Sequence, residues 1–123
     1  MSATRLLVAQ LIVLLILTYI VFFGITHDFY WSIFWFSALA HFLGGLWAGL
    51  FGAWLLEFRG ISRSFLFCIA VALLLGIFWE MFELVIGATH FPADTVDTVQ
   101  DIYMDIIGGV AGALVARYVW VRE

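Results

Sequence analysis

The chain has 123 residues, of which 66% are hydrophobic and 11% charged, with a formal charge of −4 at neutral pH. That balance lies far outside the usual range of a soluble domain, and the length suits a single domain. All five basic residues are Arg, and nothing in the sequence points to nucleic-acid binding.

Four apolar stretches are long enough to cross a hydrocarbon core of about 30 Å, which takes about 20 helical residues each. They run over about 6–25, 31–56, 64–88 and 102–121. Connections this short make neighbouring helices antiparallel, so the expected fold is an all-α integral membrane protein, a compact antiparallel bundle of four transmembrane helices.

The first stretch follows Arg5 and has the look of a signal peptide. It is too long, however, and Thr26-His27-Asp28-Phe29-Tyr30 offers no small-residue cleavage site, so it is expected to stay as a helix. Its interior polar groups are Gln10 and Thr18, as suits a scaffold helix facing lipid. The second stretch carries His41, Gly45, Gly49 and Gly52 at intervals of four, four and three. Arg59 and Arg63 follow it. The third holds Cys68, the only cysteine, expected to be a packing residue, and then Gly76, Glu80, Glu83 and Gly87 at intervals of four, three and four. Pro92, Asp94 and Asp97 lie in the next connection, which reads as a lid or a plain connector. The fourth stretch carries Asp101, Asp105, Gly108 and Gly112 at intervals of four, three and four.

Each of these three sets occupies one helix face. Small residues let a neighbouring membrane helix approach closely, so the faces should point at one another and hold the polar residues inside the bundle. The Arg residues sit at the termini and between helices 2 and 3, whereas the other two connections carry Asp28, Asp94 and Asp97 with His27 and His90. The positive-inside rule therefore puts both termini in the cytoplasm, with Trp31, Trp35, Trp54 and Trp120 as interfacial aromatics.

Each ionisable group at a bilayer centre costs roughly 2.5–3.5 kcal/mol on insertion scales, so His41, Glu80, Glu83, Asp101 and Asp105 read as a working site. The bland readings are a histidine bonded to a backbone carbonyl, protonated carboxyls bridging helices, and Asp97 or Thr98 as N-caps with Asp94 capping a turn. Glu80 and Glu83, one turn apart, repel unless they share a proton or a cation. No Arg or Lys lies in the outer half of the expected bundle, so a phosphate-bearing substrate would call for a divalent cation. Hard oxygen donors favour Mg²⁺, Ca²⁺ or Mn²⁺ over zinc.

Ala40-His41-Phe42, Glu80-Met81-Phe82-Glu83 and Asp101-Ile102-Tyr103-Met104-Asp105-Ile106-Ile107-Gly108-Gly109 with Gly112 resemble the VanZ-like family of small bacterial membrane proteins. The resemblance spans Trp35 to Ala116, and so omits the first helix. A more distant similarity is to the base-exchange phosphatidylserine synthases. The VanZ-like pattern often has Gln after the Glu of the third helix and Asn at the position of Asp105, so Glu83 and Asp105 give this chain a more acidic site.

The resemblance implies a protein of the bacterial cell membrane, a metal-dependent enzyme acting on a lipid or lipid-carrier phosphoester by hydrolysis or head-group exchange. It implies a divalent metal held by Glu80, Glu83, Asp101 and Asp105, with Asp94 and Asp97 as further candidates. His41 would be the general acid or base beside Glu80, Glu83 and Asp105 as the catalytic set. The partner would be a membrane lipid or lipid-linked substrate. Two rivals stay open: a proton- or cation-coupled transporter using the same acids, and a non-enzymatic membrane partner. The cytoplasmic halves of the helices, nearly bare of polar groups beyond Gln10, Glu57 and the Arg residues, argue against a path through one subunit.

Overall fold

The structure, a computed structural model, describes residues 2–62 and 64–120, with side chains described only to residue 117. Arg63, Val121, Arg122 and the Trp120 side chain lie outside the described residues. The elements are α1 (Ala3–Thr26), α2 (Phe29–Ser32), α3 (Phe36–Phe58), α4 (Phe65–Val85) and α5 (Thr95–Trp120). Four of them, all but α2, are long and apolar enough to span a bilayer, and they pack together as an integral-membrane helical protein.

Caps and turns explain where these helices differ from the expected stretches. Ser2 and Ser64 open α1 and α4 by accepting the Arg5 and Phe67 backbone N–H groups, at 3.3 and 3.1 Å. The expected second stretch is broken in two. Asp28, at φ +56°, is left-handed, and Ile33 is extended, so Phe29–Ser32 forms a separate turn before α3 begins. The third stretch stops at Val85 and not at 88: Gly87 takes φ +78°, and the Ala88 N–H returns to the Glu83 carbonyl at 2.9 Å. Gly87 is thus a helix stop, freed by its missing side chain to turn left-handed, and not a packing position. The last helix begins at Thr95, about two turns before 102, because Thr95 to Gln100, polar but for Val96 and Val99, are helical.

Helix α3 is the centre of the bundle. It packs on α1, α4 and most extensively on α5, and α4 also packs on α5. The α3–α5 seam explains the glycines. A Cβ at Gly45 would meet the Asp105 carbonyl, one at Gly49 the Gly109 carbonyl, one at Gly108 the Phe42 carbonyl and one at Gly112 the Leu46 carbonyl. Backbone meets backbone here, the close approach that small residues permit in lipid. The pairings rise together, so α3 and α5 run in the same direction, with α4 antiparallel between them: Gly76 faces the Asp105 carboxyl, and Gly109 faces the Ala72 side chain.

At the end carrying Arg5, Arg59 and Arg117, the chain closes on a core of Leu6, Leu50, Ala53, Cys68, Ala113 and Ala116. Cys68 is a packing residue there. Gln10 is buried and donates to its own helix, Nε2 to the Leu6 carbonyl at 3.2 Å. At the other end, Phe36 lies edge-on to Tyr30 with ring centres 4.9 Å apart, and it fills the space left by Gly24. That contact ties α1 and α2 to the start of α3.

Candidate metal centre

The glycine seam sets the level of each polar side chain. Gly45 lies against Asp105, so His41, one turn before it on α3, comes level with Asp101, one turn before Asp105 on the parallel α5. On antiparallel α4, Gly76 lies against Asp105, so Glu80, one turn further on, reaches the same level. Three helices thereby deliver three side chains to one point.

The His41 ring nitrogen Nε2 is 3.3 Å from Asp101 Oδ2 and 3.9 Å from Glu80 Oε1. One donor atom from each of the three residues lies within 4.8 Å of the others, close enough to share an ion. Among the described residues, this is the group of donors so placed. Glu80 is 6% exposed and Asp101 4%.

What surrounds these donors is as informative as the donors themselves. Each has one polar atom held from behind and the other directed at the common point. Ser37 Oγ donates to Asp101 Oδ1 at 3.3 Å, leaving Oδ2 facing His41. Thr98 Oγ1 donates to Glu80 Oε2 at 3.3 Å. His41 Nδ1 lies 3.3 and 3.4 Å from the two Asp105 carboxylate oxygens, which accept its proton. An imidazole held in this way presents the lone pair of Nε2 to whatever occupies the centre. Glu80 Oε1 is buried with no hydrogen-bond partner. A buried carboxylate oxygen without a partner is costly, and a proton or a cation beside it would remove that cost. The donor set fits a divalent metal ion held by His41, Glu80 and Asp101.

The remaining candidates stand apart from that group. Asp105 lies behind His41, on the Nδ1 side. Glu83 accepts from Trp79 Nε1 at 3.1 Å and from Thr89 Oγ1 at 3.3 Å, which fixes it to its own helix and the following turn. Asp94 accepts the His90 backbone N–H at 2.7 Å, closing the turn before α5, and Asp97 is exposed. His27 Nδ1 lies 3.0 Å from Thr26 Oγ1, and its ring stacks on Phe23. Ser37 and Thr98 escape sequence reasoning as site residues because they are common residue types. A signal was there nonetheless, since Ser37 is one turn before His41 and Thr98 one turn before Asp101, which extends both stripes upward.

A cavity of about 1080 Å³ adjoins the centre. His41, Asp101 and Asp105 line it, as do Glu83, Asp94 and Asp97 nearer the loops. Tyr30, outside the spanning segments, also lines it. Burial, aided by the charges of Glu83 and Asp101, pushes its phenol above the usual range, so it stays protonated. Among the described residues, no Lys or Arg lines the cavity.

Comparison of the chain with family models, with curated proteins and with solved structures gives no match in any of the three.

Proposed function

We propose that this chain is a VanZ-like membrane enzyme that uses a divalent metal ion to act on the phosphoester of a lipid or lipid-carrier head group, from the acidic side of a bacterial cell membrane with both termini cytoplasmic. One observation carries the reading. Three donors from three helices, Glu80 and Asp101 buried and His41 partly so, converge on one point, each held from behind by Asp105, Ser37 or Thr98, with Glu80 Oε1 left unpartnered.

His41, Glu80 and Asp101 would hold the ion. The mixed nitrogen and oxygen set suits Mn²⁺, which accepts both carboxylate and imidazole. When bound, the metal polarises a phosphoryl oxygen and offsets the negative charge of substrate and carboxylates. Asp105 keeps His41 in the tautomer that leaves Nε2 unprotonated. Thr98 and Ser37 fix the rotation of the two carboxylates. Glu83, on the cavity wall one turn from Glu80, would take the proton of the entering water or alcohol and pass it to the leaving alcohol oxygen as the old P–O bond breaks. Helix packing around the centre keeps bulk water from its buried side and strengthens every charge interaction there.

The test is Mn²⁺ binding to the purified chain in lipid nanodiscs, followed by paramagnetic resonance, with Mg²⁺, Ca²⁺ and Zn²⁺ as competitors. Glu80→Gln and Asp101→Asn should each weaken binding by more than about 100-fold, beyond the 10–100-fold typical of outer-shell changes. Release of phosphate or head group from vesicles of phospholipid and polyprenyl phosphate should follow the same loss. A wild-type chain that binds none of the four ions would end the metal reading.

A further inference from the structure

Gly44 is the exception among the glycines of α3. A Cβ at Gly45, Gly49 or Gly52 would press against α4 or α5, whereas a Cβ at Gly44 would meet nothing within 4 Å. Packing therefore gives no reason for glycine there, and glycine inside a helix costs about 1 kcal/mol relative to alanine. Gly44 opens instead onto the cavity beside the metal centre, one turn beyond His41.

The cavity has two chemically distinct ends. Its carboxylates and His41 lie at or above the level of Asp105. Beside and beyond His41, the α3 floor is Ala40, Gly44 and Ala48, small residues four apart on one face. On the α1 side the wall is Leu14, Leu17 and Val21, and on the α4 side Leu75 and Phe78. Helix α1 packs on α3 rather than on α4, and Phe78 is 71% exposed, so this apolar part is open sideways. From His41 to Ala48 the floor runs about 10 Å along the helix axis, a third of a hydrocarbon core of about 30 Å. A sideways-open apolar furrow at membrane depth fills with hydrocarbon, because water finds no polar partner there.

We propose that this furrow between α1 and α4 receives one hydrocarbon chain of a membrane lipid, whose head group reaches His41, Glu80 and Asp101 from within the bilayer, and that Gly44 is the residue that keeps the furrow open. The proposal rests on the lipid-phosphoester reading and specifies how its substrate enters: laterally, chain first along α3, with the head group toward the acidic loops. Apolar chain length is then recognised by the furrow, and head-group chemistry by the centre.

The experiment is native mass spectrometry of the chain released from nanodiscs made of equal parts palmitoyl-oleoyl phosphatidylethanolamine and phosphatidylglycerol, with Mn²⁺ binding measured on the same samples. Wild type should retain one phospholipid per chain. Gly44→Phe should lower that retention about tenfold while leaving Mn²⁺ binding unchanged, which shows that the bundle is intact. Gly44→Leu, which places a smaller side chain in the same open space, should do likewise. Leu114→Phe, on an exposed face of α5, should retain lipid as wild type does. Glu80→Gln should lose Mn²⁺ and keep the lipid. Equal retention by wild type and both Gly44 variants overturns the proposal, as does a lipid-free dimer in which a second copy fills the furrow. A wild-type chain that keeps a Gly44-sensitive lipid but binds no metal ends the enzyme reading and leaves the furrow standing.

Discussion

At the basic end of the bundle, α3 meets its neighbours through Leu50 and Ala53, against Leu6, Cys68, Ala113 and Ala116. At the acidic end the same helices carry His41, Glu80, Asp101 and Asp105, beside an open cavity. The backbone architecture hardly changes between the two. Gly45 and Gly49 on α3 bring α5 to contact distance along the whole seam. What differs is the residue type that each turn presents. Where side chains fill the space between helices, the bundle is a sealed scaffold; where polar groups are held from behind and pointed inward, the same packing becomes a binding site. The seam is therefore the common cause of both ends.

The comparison predicts that breaking the seam destroys both at once. Gly45→Val would put a branched side chain where even a Cβ collides with the Asp105 carbonyl. Overpacking of this kind costs about 1–3 kcal/mol and sometimes more, and relief by separating α3 from α5 would also pull His41 away from Asp105. The expected result is a large fall in melting temperature in detergent, with loss of Mn²⁺ binding. A variant that melts like wild type and binds Mn²⁺ would show that the two ends do not share this support.

A smaller effect separates them. Asp105→Asn keeps the size of the side chain and leaves the basic end untouched, but removes the negative charge behind His41 Nδ1. Outer-shell partners of a ligating histidine typically account for 10–100-fold in metal affinity. Mn²⁺ should therefore bind about 10–100-fold more weakly, less of a loss than for Glu80→Gln, with thermal stability near that of wild type. A loss as complete as that of Glu80→Gln would make Asp105 a direct ligand.

Much of this organisation was legible in the sequence, for a physical reason. Lipid forces helices to be long and apolar, so the spans stand out, and it penalises buried charge, so His41, Glu80, Asp101 and Asp105 stand out within them. The period of four residues then puts each with its glycines. Less legible was what depends on short-range geometry. Phe29–Ser32 is as apolar as a helix start, and only the extended Ile33 separates it from α3, as the left-handed Asp28 does from α1. Glu83 shares a stripe with Glu80, yet Trp79 and Thr89 hold it away from the common point, a choice of rotamer that spacing cannot express. The division of labour between Asp101, facing Nε2, and Asp105, facing Nδ1, also needed the ring of His41 to be seen.

The smallest predicted effect draws the sharpest contrast, because it sets two adjacent residues against each other. Gly44→Ala adds a methyl group that meets nothing, so the gain in helix propensity, up to about 1 kcal/mol, is not offset by any clash. Gly45→Ala gains the same propensity but drives its methyl group into the Asp105 carbonyl. Thermal melts of the two variants should move in opposite directions, Gly44→Ala slightly upward and Gly45→Ala downward. If both rise, the seam tolerates side chains and the level of the metal donors is set by something else. If both fall, Gly44 is packed rather than open, and the furrow beside it loses its floor.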